Sequence, residues 1–283
     1  MSKRKIKIVT DSSSEMHALG NFSFASAALR IVTNDKEYVD GDGLDVEGMV
    51  NELADYKGKS STSCPNVSDW LEAFGDADEV YCITITARLS GSYNSACIAA
   101  KEYEARGEGR RVFVINSRST GGEMELVAER LVELIESGLS FDEVCSEIMK
   151  YSHERTGLLF MLESMRNLAN NGRVSPLVAK FAGLLGIRVI GKASDEGTLE
   201  TLDKCRGERH ALETVFKRMK SLLYKGGRVR ISHCLNAEAA NKLASLIRGE
   251  FPLADIAVKA CRGLCSFYAE RGGLLVGFEK CTE

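Results

Sequence analysis

Short apolar runs rich in β-branched residues alternate along this chain with longer stretches whose apolar positions recur at helical spacing. Residues 5–10 alternate polar and apolar and end in Asp11-Ser12-Ser13-Ser14, which predicts a strand followed by a polar loop. Residues 27–33 and 37–39 predict two further strands around an Asn34-Asp35 turn. Asp45 is placed to cap a helix running to Tyr56, and Pro65-Asn66 to open one carrying Val67, Trp70, Leu71 and Phe74. The run 80–86 is apolar throughout, as in a strand covered on both faces. A helix to about 106, a strand over 111–116 and a helix over 122–137 complete an alternation that predicts a parallel sheet with right-handed crossovers.

A helix over 140–154 bridges to a second unit. Its expected elements are a strand over 157–162 and helices containing Leu168, Leu177, Phe181, Leu184 and Leu185. A hairpin of 188–192 with 198–202 follows around Asp195-Glu196-Gly197. Then come a helix over 208–224, a strand over 229–233, a helix over 237–248 and strands over 254–259 and 274–278. The fold class expected is α/β in two domains. Residues 1–155 form a parallel-sheet, three-layer α/β/α domain, and 156–283 a smaller mixed-sheet α/β domain. No repeat or low-complexity linker separates them.

Composition changes this picture little. At 283 residues, 44% hydrophobic and 27% charged, the chain has the make-up of an ordinary globular protein. Its net charge of -3 lacks the basic footprint of a nucleic-acid binder. The basic start at 3–7 reads as a solvated lead-in to the first strand. The nine cysteines are scattered, odd in number and often inside apolar runs, as expected of reduced thiols in the cytoplasm. Cys261 and Cys265 have no partner pair for a zinc site. No apolar run approaches the roughly 20 residues that span a bilayer.

The chemistry concentrates where strand 80–86 runs through Leu89-Ser90-Gly91-Ser92-Tyr93 straight into a helix. A helix start offers unpaired N–H groups and a favourable dipole to an anion. A second hydroxyl cluster, Ser60-Ser61-Thr62-Ser63, lies upstream, and the two are expected to face one another across that anion. The segments at 11–14, 62, 90 and 117–120 are all read as loops at the carboxyl edge of the sheet, where ligands of parallel sheets sit. Taken alone, Ser90-Gly91-Ser92 reads equally well as a plain helix cap.

These landmarks together resemble the DegV family of bacterial fatty-acid-binding proteins from end to end. Ile8-Val-Thr-Asp-Ser-Ser13 is similar to the family's opening, and Ser61-Thr-Ser-Cys-Pro-Asn66 to its Thr-Ser-Gln-Pro-Ser segment. Leu89-Ser-Gly-Ser-Tyr-Asn-Ser-Ala96 resembles its Leu-Ser-Gly-Thr-Tyr-Gln-Ser-Ala signature. Val114-Ile-Asn-Ser-Arg-Ser119 and Leu168-Ala-Asn-Asn-Gly-Arg-Val-Ser175 match two later elements. The resemblance implies a lipid tunnel between the domains that takes one long-chain fatty acid. Its carboxylate would be held by Thr62, Ser90, Gly91 and Ser92, with Arg173 and Tyr268 at the head group or the kinase-facing surface. It implies a fatty acid kinase as partner, transient membrane contact for lipid exchange, a cytoplasmic location, and no cofactor or metal. The chain itself would be a lipid-binding protein rather than an enzyme, with a role in phospholipid metabolism.

Two positions depart from the family pattern. Tyr268 aligns with a family histidine; a phenol can donate a hydrogen bond to an oxyanion but cannot become cationic. Asn171 replaces the first glycine of a Gly-Gly-Arg turn and is expected to tolerate a left-handed backbone. Read without the resemblance, the same residues leave open a serine-dependent acyl hydrolase, an enzyme acting on a small phosphorylated substrate, or a protein for which bound lipid is a passive plug. The chain has no phosphate-loop glycine motif and no Gly-x-Ser-x-Gly elbow, and no histidine neighbours Ser90 in sequence.

Overall fold

The structure, a computed structural model, describes residues 4–107, 109–179 and 186–281. The expected helical positions Phe181, Leu184 and Leu185 lie outside the described residues. In chain order the first half comprises β1 (Ile6–Asp11), a 3₁₀ turn (Ser12–Ser14), β2 (Phe24–Ala27), β3 (Arg30–Thr33) and β4 (Glu37–Val39). There follow α1 (Val46–Asp55), β5 (Ser60–Ser63), α2 (Val67–Phe74), β6 (Glu79–Thr84) and α3 (Ser92–Ala105). The half closes with β7 (Arg111–Asn116), α4 (Gly122–Glu136) and α5 (Phe141–Glu154).

Helix starts follow the sequence. Asp45 accepts from the Gly48 N–H, and Asn66 with Asp69 and Ser140 with Glu143 form reciprocal capping boxes. Strands β2, β1, β6 and β7, in that order, make a four-stranded parallel sheet. Every residue of β6 is buried, because helices cover both faces. Trp70, Phe74, Ala96, Ala99 and Tyr103 of α2 and α3 pack on one side. Met124, Val127, Leu131, Val144 and Ile148 of α4 and α5 pack on the other.

The apolar run 27–33 is not one strand. It breaks at residues 28–29, where β2 leaves the parallel sheet and β3 enters a separate antiparallel sheet of order β4-β3-β5. Thr62 therefore lies in strand β5, opposite Ile31, and not in a loop. Ser60–Ser63 carries no apolar alternation, so nothing in its pattern marks it as a strand.

The second half comprises β8 (Thr156–Leu162), α6 (Arg166–Asn170), α7 (Pro176–Ala179), β9 (Ile187–Ala193), β10 (Leu199–Arg206) and α8 (Glu208–Ser221). After these come β11 (Val229–His233), α9 (Ala237–Glu250), β12 (Ile256–Ala260), α10 (Gly263–Ala269) and β13 (Leu274–Glu279). Its sheet has the order β10-β9-β8-β13-β11-β12 and is mixed, since only β11 and β12 run parallel. Helices α8 and α9 bury Leu212, Val215, Met219, Leu243 and Ile247 against one face. On the other face, α4 touches β8, β11 and β13 as well as β6. One helix is thus the shared layer between the two large sheets.

Two glycines permit that contact. A side-chain carbon on Gly277 of β13 would stand 2.2 Å from the Glu123 N, and one on Gly122 would stand 2.3 Å from the Arg230 O. Only bare backbone lets the first turn of α4 lie this close to the sheet.

Candidate functional site

A cavity with about 660 Å³ of empty space, mouth included, lies between the parallel-sheet half and the mixed sheet. Its walls are apolar. Leu158, Phe160 and Leu162 line it from one face of β8, Leu275 from β13, and Ile85 and Leu89 from the segment after β6. The alternation of β8 explains this, because residues two apart share a face.

The cavity is polar at one end. Thr62, Ser90, Arg173 and Tyr268 come together there, from β5, the turn before α3, the turn after α6, and α10. Residues 206 positions apart in sequence are in direct contact: Thr62 Oγ1 and Tyr268 Oη are 2.7 Å apart. Burial raises the Tyr268 phenol above its ordinary pKa, so it is a neutral donor at physiological pH. The Arg173 guanidinium stands 5.8 Å from the Tyr268 ring centre. It donates to the Leu89 carbonyl at 3.2 Å and the Asn171 carbonyl at 2.5 Å. Among the described residues no ion pair engages Arg173, which leaves its charge available to an anion.

Ser90 and Ser92 divide in role. Ser90 Oγ accepts from the Ser92 N–H at 3.2 Å and lines the cavity. Ser92 is fully buried and does not line it; its hydroxyl donates to Asp11 Oδ2 at 2.6 Å. Gly91 forms the N-cap of α3, with no side-chain cap. A side-chain carbon there would stand 3.2 Å from Cys64 Sγ, so the turn passes close to the segment after β5.

Asp11 emerges as the organiser of this end. Wholly buried at the end of β1, it accepts from the Ile85 N–H at 2.8 Å, from Ser92, and from the N–H and hydroxyl of Ser13. Burial raises its pKa, and these donors oppose that rise. The sequence marks Asp11 as part of a polar loop; its actual work is to tie β1, β6 and the start of α3 together.

The turn after α6 differs from expectation in one detail. Asn171 keeps φ at -102°, and the left-handed residue is Gly172 at +71°. The second glycine of the family turn is retained here, so Asn171 bears no strain. Sequence reading also missed α10, which carries both Cys265 and Tyr268 into the wall. All but one of its seven residues are buried, so no polar face gives it a helical period.

Two chemical alternatives find no support in this geometry. No histidine lines the cavity among the described residues, so Ser90 has no base there. Among the described residues no group of three or more His, Cys, Asp or Glu side chains is arranged to hold a metal. All nine cysteines are free thiols. No described helix is long and apolar enough to cross a membrane.

Comparison with known proteins gives one consistent result. The model of the DegV family, described as uncharacterised proteins, matches residues 5–280. A DegV domain-containing protein of Streptococcus pneumoniae is 41% identical over 277 residues, 96% of this chain and 98% of its own. The structure of a DegV family protein from Eubacterium eligens, loaded with heptadecanoic acid, is 41% identical. It superposes with a TM-score of 0.96 over 98% of this chain and 100% of its own. The Streptococcus pneumoniae Fatty Acid Kinase (Fak) B3 protein, loaded with linoleic acid, is 40% identical with a TM-score of 0.95 over 98% of this chain and all of its own. Matched along nearly its whole length in sequence and in backbone, this chain belongs to the DegV family.

Proposed function

We propose that the protein binds one long-chain fatty acid, with the acyl chain in the apolar cavity and the carboxylate at the Thr62–Ser90–Tyr268–Arg173 end. The observation that carries this reading is an apolar cavity with Thr62, Ser90, Tyr268 and its one lining cation, Arg173, gathered at one end. That distribution suits a ligand with one anionic head and a long apolar tail. Relatives of about 40% identity that hold heptadecanoic and linoleic acids support the same ligand class.

The energetics assign separate tasks to head and tail. About 14 methylenes at about 0.8 kcal/mol each represent roughly 11 kcal/mol of gross transfer free energy. Association costs of about 4–15 kcal/mol consume much of that. The tail therefore supplies most of the affinity, and the hydroxyls fix which end faces the opening. The Thr62, Ser90 and Tyr268 hydroxyls mask a carboxylate less than a bidentate arginine clamp would, and Arg173 already spends donors on the Leu89 and Asn171 carbonyls. We infer that the head is left accessible for presentation to a fatty acid kinase, which forms the acyl phosphate. The chain acts as carrier in that step, within a cytoplasmic phospholipid pathway, and exchanges its ligand at a membrane surface. Residues 1–155 and 156–283 serve as its two domains.

Titration of delipidated protein with hexadecanoic and octadecenoic acids tests the reading. Thr62→Val with Ser90→Ala is expected to weaken binding by tenfold or more without abolishing it. An unchanged affinity would remove the carboxylate from this end of the cavity.

A further inference from the structure

The turn that carries Ser90 is held in place from the mixed-sheet half. Between β6 and α3 the chain runs through residues 85–91, of which Ile85, Leu89 and Ser90 line the cavity. Thr86 is not part of that lining, is 2% exposed, and uses both capacities of its hydroxyl. Its Oγ1 accepts from the Arg88 N–H at 3.3 Å and donates to the Gly197 carbonyl at 2.8 Å, 111 positions away. Its own carbonyl accepts from the Leu89 N–H at 3.2 Å. A threonine hydroxyl commonly closes a local turn through its acceptor capacity. Here the proton is spent as well, and it is spent on the other half of the molecule.

Gly197 sits at the tip of the β9–β10 hairpin, with φ at +83°. A side-chain carbon on it would stand 2.9 Å from the Arg118 Cα and closer still to Thr86 Oγ1. Only a glycine lets the tip come this near. Arg118 Nη1 also donates to the Asp195 carbonyl at 3.1 Å, and Arg88 pairs with Glu196 at 3.0 Å. That ion pair is exposed and adds little. On the far side of the turn, Arg173 Nε donates to the Leu89 carbonyl at 3.2 Å. A chain of bonds thus runs from Gly197 through Thr86 and Leu89 to Arg173, and Ser90 is the next residue along.

We propose that Thr86 is a positioning residue for the anionic head of the ligand. By gripping the hairpin tip it holds Ser90 in register with Tyr268 and Arg173, so preference for a carboxylate over a neutral head depends on a contact outside the cavity. This rests on the fatty-acid reading of the cavity. The physical reason is a difference in directionality. A hydrogen bond to a charged acceptor weakens steeply with distance and angle, whereas burial of the tail is non-directional. A small displacement of the Leu89-Ser90 turn therefore costs the head and spares the tail.

The experiment compares hexadecanoic acid with hexadecan-1-ol on delipidated protein, by competition against a fluorescent fatty acid. Wild type is expected to prefer the acid. Thr86→Val keeps the side-chain shape and removes the hydroxyl. It is expected to narrow the preference at least about fivefold, with the alcohol bound within about twofold of wild type, which also certifies the fold. Gly197→Ala breaks the same contact from the hairpin side and is expected to do likewise, so the test does not depend on one variant folding. Thr86→Ser retains the hydroxyl and is expected to retain the preference. Thr86→Val combined with Ser90→Ala is expected to lose less than the product of the two single losses. Acid and alcohol weakened alike, or a preference unchanged in folded Thr86→Val and Gly197→Ala, would overturn the proposal. Wild type that binds neither ligand, or both equally, would instead overturn the fatty-acid reading, and this proposal with it.

Discussion

Tyr268→Phe removes one oxygen at the polar end of the cavity, and the hydrogen bond it shares with Thr62 sets the size of the effect. The phenol and the Thr62 hydroxyl bond one another at 2.7 Å, so only one of their two protons is used between them. A carboxylate accepts only, and can take both. Binding thus exchanges one neutral hydrogen bond, worth about 0.5–1.5 kcal/mol, for two charge-assisted ones at about 1.5–3 kcal/mol each. In the phenylalanine variant one charge-assisted bond forms and nothing is given up. The difference is about 0.5–2 kcal/mol, centred near 1 kcal/mol, or roughly fivefold in Kd. The ring remains to pack beneath Arg173 and against Phe267, so the fold is unaffected. Competition against a fluorescent fatty acid reads the change, and Thr62→Val closes a double-mutant cycle with a coupling that exposes the shared bond. An unaltered Kd, or a loss beyond about a thousandfold in folded protein, would refute this assignment of head and tail.

Three other outcomes follow from the packing. Ser92→Ala removes a donor from buried Asp11 and is expected to cost about 1–3 kcal/mol of stability in denaturant unfolding, with fatty-acid affinity within about twofold. A larger effect on affinity than on stability would return Ser92 to the ligand site. Gly277→Ala drives a methyl into the first turn of α4 and is expected to cost about 1–3 kcal/mol; an unchanged melting temperature would contradict the close approach. Burial raises the Glu15 carboxyl from 4.5 to about 8, so the folded state retains a proton that the unfolded chain releases. Its contribution is favourable below about pH 4.5 and is lost as pH rises towards 8, at up to about 1.4 kcal/mol per unit. Glu15→Gln is expected to flatten the fall in stability between pH 6 and 8, and an identical slope in variant and wild type would contradict it.

Much of this fold was legible because its strands and helices carry their own signals. The strand over 111–116 and the helix capped by Asp45 follow from local pattern alone. Thr62 and Ser90 drew attention as hydroxyls beside turns, and the family resemblance supplied the pairing with Arg173 and Tyr268. What stayed hidden depends on contacts remote in sequence. Ser60–Ser63 is a strand because β3 is beside it, not because serines favour strands. Helix α10 lacks a polar stripe because the protein surrounds it. Ser92 and Ser90 are two residues apart and chemically alike, yet one faces Asp11 and the other the cavity. Spacing cannot separate them; only the position of β1 beside β6 does.

The central claim is that one fatty acid fills the cavity, and native mass spectrometry of purified protein with extraction of whatever it releases tests it most directly. The account predicts a mass increment of one long-chain fatty acid per chain, exchangeable for added hexadecanoic acid. Protein that emerges empty, and stays empty after incubation with saturated and unsaturated acids of about 14 to 18 carbons, would contradict it.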